Sequence, residues 1–383
     1  MKTMGVKKIF AAALFISCMF VQQANAQGWT RMSTPVNSDL YSVWGTSAGD
    51  VFAGGNGGTM IHYDGVAWSA MTSGTIENFY SVWGSSGTDV YAVGSYDSRF
   101  LAHYNGASWS VVVNVPSGAF NGVWGSSSTD VFVVGDFNGS DAFIWHYNGV
   151  DWSVSYSSTT PYLTGVWGSS GTDVFAVGNG GTVLHYNGAI WSAMAGGTLR
   201  RLSGVWGSSG SDVYAVGSSG TIIHYDGFSW SPMASGTAQE LSGIWGSSAT
   251  DVYAVGAFGT ILHYNGSAWS PMYSGTIGYL TSIWGASSDS VFIAGGMGTV
   301  LHYTGRTTGL CPASMVLGGD NPDLEKLRDF RDNTLAQSAV GRKIIQIYYD
   351  NAESINAALE RSPALRAVAR RVLEVIAPMV GQN

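Results

Sequence analysis

Residues 202–237 read LSGVWGSSGSDVYAVGSSGTIIHYDGFSWSPMASGT, in which four short apolar stretches alternate with glycine- and serine-rich turns. The stretches are 202–207, 212–217, 221–225 and 230–233. Ser208-Ser209-Gly210-Ser211, Ser218-Ser219-Gly220 and Asp226-Gly227 lie between them, and such residues supply tight turns between antiparallel strands. The two middle stretches are nearly continuous apolar runs, as in strands covered on both faces. Four strands in a unit of about 40 residues, joined by glycine turns, make one blade of a β-propeller.

The unit recurs along the chain. Trp-Gly appears at Trp44, Trp83, Trp124, Trp167, Trp206, Trp245 and Trp284, at spacings of 39, 41, 43, 39, 39 and 39. A second Trp precedes each of these by 15 residues, from Trp29 to Trp269, and His-Tyr recurs at His62, His103, His146, His185, His224, His263 and His302. After His302-Tyr303 no further Trp strand follows, whereas Trp29 lies in an outer-strand segment ahead of the first Trp-Gly. The N-terminus thus completes the last blade, and the ring closes on itself. An open stack would need polar capping repeats, and the sequence has none. The fold class expected is all-β: a seven-bladed β-propeller over 27–303, closed by an N-terminal strand and followed by a small α-helical domain.

Composition agrees with many short strands. The 383 residues include 53 Gly and 15 Trp but only 11% charged residues, against about a quarter in an average soluble domain. Residues 1–26 read as a signal peptide: Lys2, Lys7 and Lys8 precede an apolar run over 9–21, and Ala24-Asn25-Ala26 is a small-x-small cleavage site. No later stretch is apolar over the length of a transmembrane helix. The expected location is therefore exported: periplasm, outer-membrane surface or extracellular space. Cleavage removes three lysines and makes the formal charge of −8 more negative, which argues against nucleic acid as a partner. It also removes Cys18 and leaves Cys311 alone, so no disulfide framework is available.

Several repeated residues invite a chemical reading and have a structural one. Each histidine sits on the third strand of its own blade, roughly 10 Å outward from the innermost strand at about 4.8 Å per strand. Metal ligands must lie within about 2 Å of one ion, so the seven histidines cannot converge. They are expected to join strands within a blade. The aspartate six places after each Trp (Asp50, Asp89, Asp130, Asp173, Asp212, Asp251; Ser290 in the last blade) is expected to accept backbone N–H groups from its turn. No metal, cofactor or catalytic residue is expected.

Variation between blades falls on one face. Strands alternate in direction, so the second-to-third and last-to-first connections share a face, here called the loop face. The other two turn types share the opposite, nearly invariant turn face. Blade two inserts two residues around Tyr96, Asp97, Arg99 and Phe100; blade three inserts four around Asp136, Phe137, Asn138 and Asp141, with Trp145 out of pattern. The interblade loops add Glu77, Asn78, Phe79, Pro161, Tyr162, Arg200, Arg201, Glu240 and Tyr279. Repeats need uniformity to pack and variety only to recognise, so this face is the expected binding surface, centred near blades two and three. The expected partner is an unidentified envelope or extracellular protein. A glycan is the alternative, because exposed Trp and Tyr stack on sugars. A lectin with repeated sites, however, should carry the same residues in every blade.

The repeat resembles that of photosystem II stability/assembly factor-like proteins and the wider BNR/Asp-box propellers, on stretches such as Ala215-Val216-Gly217-Ser218-Ser219-Gly220-Thr221-Ile222. The likeness covers residues 29–303 and departs at the hairpin, where Asp226 to Trp230 is one residue shorter than an Asp-box. It implies the fold and leaves a sialidase-like hydrolase as a third reading. Sialidases bind a substrate carboxylate with an arginine cluster. The propeller region has no lysine, and its four arginines, Arg31, Arg99, Arg200 and Arg201, belong to different blades apart from the adjacent pair.

Beyond Tyr303 the composition changes. Nine of the 17 basic residues lie between Lys326 and Arg371, and apolar spacing becomes helical, as in Ile344, Tyr348, Ala352, Ile355 and Leu359. Residues 304–320 read as a linker carrying Cys311, and 321–383 as a three-helix domain. This tail resembles the CFI-box C-terminal domain of secreted bacterial proteins, on Cys311, Leu327-Arg328-Asp329-Phe330-Arg331-Asp332, Gly341-Arg342 and Tyr348-Tyr349. It departs from that family in reading Cys311-Pro312-Ala313 where the box has Cys-Phe-Ile. The resemblance implies a role in surface sorting or docking. Cys311 is a candidate for processing or lipidation, for pairing with another chain, or for burial as a small hydrophobe.

Overall fold

The computed structural model describes residues 28–95, 99–112, 119–137, 141–159, 161–304 and 370–371, without the side chains of Ser95, Arg99 and Phe137. One compact unit spans Arg31–Tyr303. The linker with Cys311 and the three-helix domain lie outside the described residues, apart from Thr304 and from Arg370 and Arg371, which are helical and exposed. No helix among the described residues is long and apolar enough to cross a membrane.

The propeller expectation holds. Among the described residues, twenty-eight strands form seven four-stranded sheets, each ordered from an innermost to an outermost strand. In the fifth blade the strands are Leu202–Ser209, Asp212–Gly217, Ile222–Tyr225 and Trp230–Met233. They pair antiparallel, with Trp206 opposite Tyr214, Tyr214 opposite His224, and Tyr225 opposite Trp230. Val213, Tyr214, Ala215 and Val216 are all buried, because both faces of the second strand are covered. Tyr214 shows how blades interlock: its ring lies over His224 of its own blade and against Tyr264 of the next. The apolar core is thus a series of layers between adjacent blades.

The seventh sheet contains Leu280–Ser287, Ser290–Gly295, Thr299–Tyr303 and, outermost, Trp29–Met32 from the start of the described chain. The Trp-Gly repeat closes the same ring. A Cβ on Gly84 would lie 2.7 Å from the Trp44 ring, one on Gly246 2.6 Å from Trp206, and one on Gly45 2.9 Å from Trp284. Each such glycine is therefore the seat for the preceding blade's Trp, and Trp284 on Gly45 completes the circle from blade seven to blade one.

Around the axis, side chains of the innermost strands clasp neighbouring blades. Ser42 accepts the amide of Val82 at 3.0 Å, and Ser81 that of Val123 at 3.2 Å. Asn121 donates to the carbonyl of Leu163 at 2.8 Å, and Thr164 to that of Leu202 at 2.6 Å. The closing junction carries two such bonds, Ser282 with the Val43 amide at 3.2 Å and Thr281 with the Leu40 carbonyl at 2.7 Å. These strands enclose a polar cavity of about 190 Å³ on the axis.

Candidate functional site

The turn face is built on one arrangement. In blade five, Asp212 starts the second strand and accepts hydrogen bonds from Ser208 at 2.5 Å and from His224 Nε2 at 2.7 Å. The same pairing recurs from Thr46–Asp50–His62 to Ser247–Asp251–His263. The histidines join strands within a blade, as expected. The aspartates differ from expectation: their oxygens meet a hydroxyl and an imidazole rather than turn amides. Turn amides are bound instead by the neighbouring serines, as Ser211 N–H is by Ser209. Burial works to raise the Asp251 carboxyl, but hydrogen bonds from His263 and Ser247 outweigh it and hold the group below the ordinary aspartate range. In blade seven Ser290 meets His302 at 3.0 Å, and burial lowers the His302 pKa.

The residue types are those of a hydrolytic triad, but the order is wrong. A nucleophilic serine needs the imidazole as its base, with the carboxylate behind the imidazole. Here the carboxylate sits between hydroxyl and imidazole in six blades, so the imidazole meets the carboxylate and not the hydroxyl. Among the described residues, no three His, Cys, Asp or Glu side chains converge in a way that could hold a metal ion.

The loop face is heterogeneous, and some of its expected binding residues are not on its surface. Phe79 and Phe100 are buried, with ring centroids 5.5 Å apart, and pack in the layer between blades one and two. Asn78 is buried too, and its side chain accepts the Gly57 amide at 2.9 Å. Trp145 lies within a third strand, opposite Val133 and Val154, half-buried against the layer formed by Tyr91, Val93 and Leu101. The apolar alternation of these segments faces inward, so all four residues serve packing or loop closure. Glu77 and Tyr162 are half-buried, and their carbonyls accept the amides of Gly58 and Asn179. Arg99 and Phe137 sit at strand ends opposite Ser95 and Asp141, while Tyr96 and Asn138 lie outside the described residues.

The remaining expected residues do come together, but across blades five to seven. Arg200 donates to Ser219 at 3.1 Å, Arg201 approaches Glu240 at 3.8 Å, and Tyr279 accepts from Ser242 at 2.8 Å. Burial raises the Tyr279 pKa, with Glu240 beside it acting in the same direction. The sequence reading missed Phe258 and Met297 in this sector. They occupy the middle of the three-residue connection between second and third strands, where blades one and four carry Gly57 and Gly180. Aligning that position across blades would have exposed two large apolar residues in a column otherwise filled by Gly57, Gly180 and Ser219.

Sheet order, ring closure and the stacked Trp-on-Gly seats define a seven-bladed β-propeller. Solved structures similar to the chain include YCF48 from Cyanidioschyzon merolae, at 15% identity and a TM-score of 0.59 over 72% of this chain and 98% of that one. A structure titled YCF48 bound to D1 peptide matches at 17% identity and a TM-score of 0.61, over 75% and 98% of the two chains. The WD40 propeller domain of Doa1 matches at 12% identity and a TM-score of 0.60, over 73% and 96%. At these identities the likeness is one of fold. No family model matches the sequence, and no curated protein matches it.

Proposed function

We propose that the chain is a non-enzymatic protein-binding propeller, exported to the cell envelope or beyond, whose loop face is the docking surface. The observation that carries this is the contrast between its faces. One repeats the same hydroxyl–carboxylate–imidazole clasp in six blades. The other presents a different set of side chains in each blade, including the Arg201–Glu240 pair and Tyr279 beside it. Selection for packing explains the first face and not the second. A structure of the same fold is titled as bound to a peptide, YCF48 with D1, so a propeller of this kind can take a protein segment. Export rests on the leader-like residues 1–26, and the tail, with Cys311, is proposed as a sorting or docking element.

Photo-crosslinking tests this reading. A benzophenone side chain placed at Tyr162 or Tyr279 on the loop face, in cells of the organism of origin, should give discrete protein adducts. The same group at Val66 or Phe228 on the turn face should not. Identical adducts from both faces, or none from the loop face, would overturn it. Cell fractionation of the same strain tests export, since an intracellular full-length chain would remove that part.

A further inference from the structure

Two residues on the loop face are held in a conformation that opposes their chemistry. Phe258 and Met297 have φ of 55° and 52°, the left-handed region where a bulky side chain is an outlier. They are nevertheless 73% and 70% exposed, so packing does not account for them. Ser219, at φ 56° in blade five, is different because its hydroxyl holds Arg200. Strained residues of this kind cluster at active sites, ligand clamps and switch regions.

The backbone joins these two side chains into one patch. The amide next to Phe258, on Gly259, donates to Gly278 at 2.7 Å, which sets Phe258 beside Ile277, itself 89% exposed. The carbonyl of Tyr279 accepts the Gly296 amide at 3.0 Å, which sets Tyr279 beside Met297. Beyond Met297, whose own amide is bound by the Asp39 carboxylate at 2.8 Å, the patch ends on that acid. Asp39 is exposed and makes no ion pair among the described residues. The propeller region has no lysine to neutralise it.

Resting on the protein-binding reading above, we infer that Phe258, Ile277, Tyr279 and Met297, edged by Asp39, dock an extended protein segment carrying a large apolar side chain next to a lysine or arginine. The apolar residue covers the exposed side chains of blades six and seven, and the basic residue meets Asp39. Contiguous exposed apolar surface rimmed by polar groups marks such sites, and the net negative charge of the chain favours a basic partner over an acidic one.

The test uses the full chain and three series of short synthetic peptides, in which one Trp, Phe or Leu is followed by Lys, by Ser or by Glu. The Lys series should bind about tenfold more tightly than the Glu series. Phe258→Gly/Met297→Gly should weaken binding about tenfold while melting no lower than the parent, since glycine already occupies this position in blades one and four. Asp39→Asn, which keeps an acceptor for the Met297 amide, should erase the difference between Lys and Glu. Unchanged binding by the double glycine variant overturns the patch; if Tyr162→Ala then abolishes binding, the loop-face reading stands with its site elsewhere. Equal binding of all three series overturns the stated partner chemistry. Binding of no peptide by the parent chain overturns both the patch and the protein-segment reading.

Discussion

At the scale of single residues, blade seven offers a natural experiment, because Ser290 stands where six blades have aspartate. His302 meets a hydroxyl at 3.0 Å, and burial lowers its pKa. A histidine whose folded pKa is depressed takes up its proton more readily when unfolded. Its contribution to stability is therefore complete above the unfolded pKa of ~6.5 and is lost as pH falls through that value toward the folded one. Ser290→Asp should restore the carboxylate–imidazole hydrogen bond of the other six blades, raise the His302 pKa and stabilise the protein by about 1 kcal/mol, discounted for partial exposure. Thermal melts on either side of ~6.5, with an NMR titration of the imidazole, check both effects; a variant whose stability falls more steeply than the parent's as pH drops through ~6.5 would contradict them. The Trp seats are equally specific. Gly246 has an ordinary backbone, where alanine would otherwise add a few tenths of a kcal/mol or more, but its Cβ would lie 2.6 Å from the Trp206 ring. Gly246→Ala should therefore destabilise by about 1–3 kcal/mol in urea unfolding, and a neutral result would mean that the ring gives way freely.

At the scale of strands, the blades are held together near the axis by side chains that differ from junction to junction. The junction of blades seven and one has two clasps, from Thr281 and Ser282. Ser203, at the junction of blades five and six, has a buried hydroxyl without a hydrogen-bond partner among the described residues. Net hydrogen bonds contribute about 0.5–1.5 kcal/mol each, so Thr281→Val/Ser282→Ala should cost about 1–3 kcal/mol. Ser203→Ala should be neutral or stabilising, because it removes a buried polar atom that no described residue satisfies. The urea midpoint should fall in the first variant and not in the second, and equal losses would show that the clasps do not decide the difference. This variety was visible in the sequence only as scattered Ser, Thr and Asn. The strands themselves were legible, because apolar runs, Gly turns and the Trp-Gly period each carry a local signal. Whether a loop aromatic faces in or out carries none. Phe79 and Phe100 read as surface residues because they break the repeat, yet they break it by filling the same layer against each other and Trp109. Phe258 and Met297 stayed hidden because nothing in composition reports a positive φ.

At the scale of the whole molecule, seven identical plans become one object only through the seam. The blade count and the closing strand followed from where the repeat starts and stops, and the strand order around Trp29–Met32 agrees. A solenoid loses one terminal unit at a time, since each repeat touches only its neighbours. A closed ring has no terminal unit: opening it strips the edge of Thr299–Tyr303 and weakens the layer between blades seven and one, where Val300, Phe292, Leu40 and Val43 pack together. An exposed strand edge is also a template for aggregation. A chain starting at Ser33 should therefore lose more than the about 3–5 kcal/mol that removal of one buried Trp costs, and should associate at concentrations where a chain starting at Gln27 stays monomeric. Hydrogen exchange locates the effect. The amides of Val300 and His302, which alternate with that of Leu301 and face the N-terminal strand, should exchange fastest in the shortened chain, while those of blades three and four exchange at rates set by global unfolding. If the shortened chain melts with the longer one and protects the same amides, closure is carried by the Trp seat on Gly45 and the axial clasps alone, and the N-terminal strand is an ornament on a ring already shut.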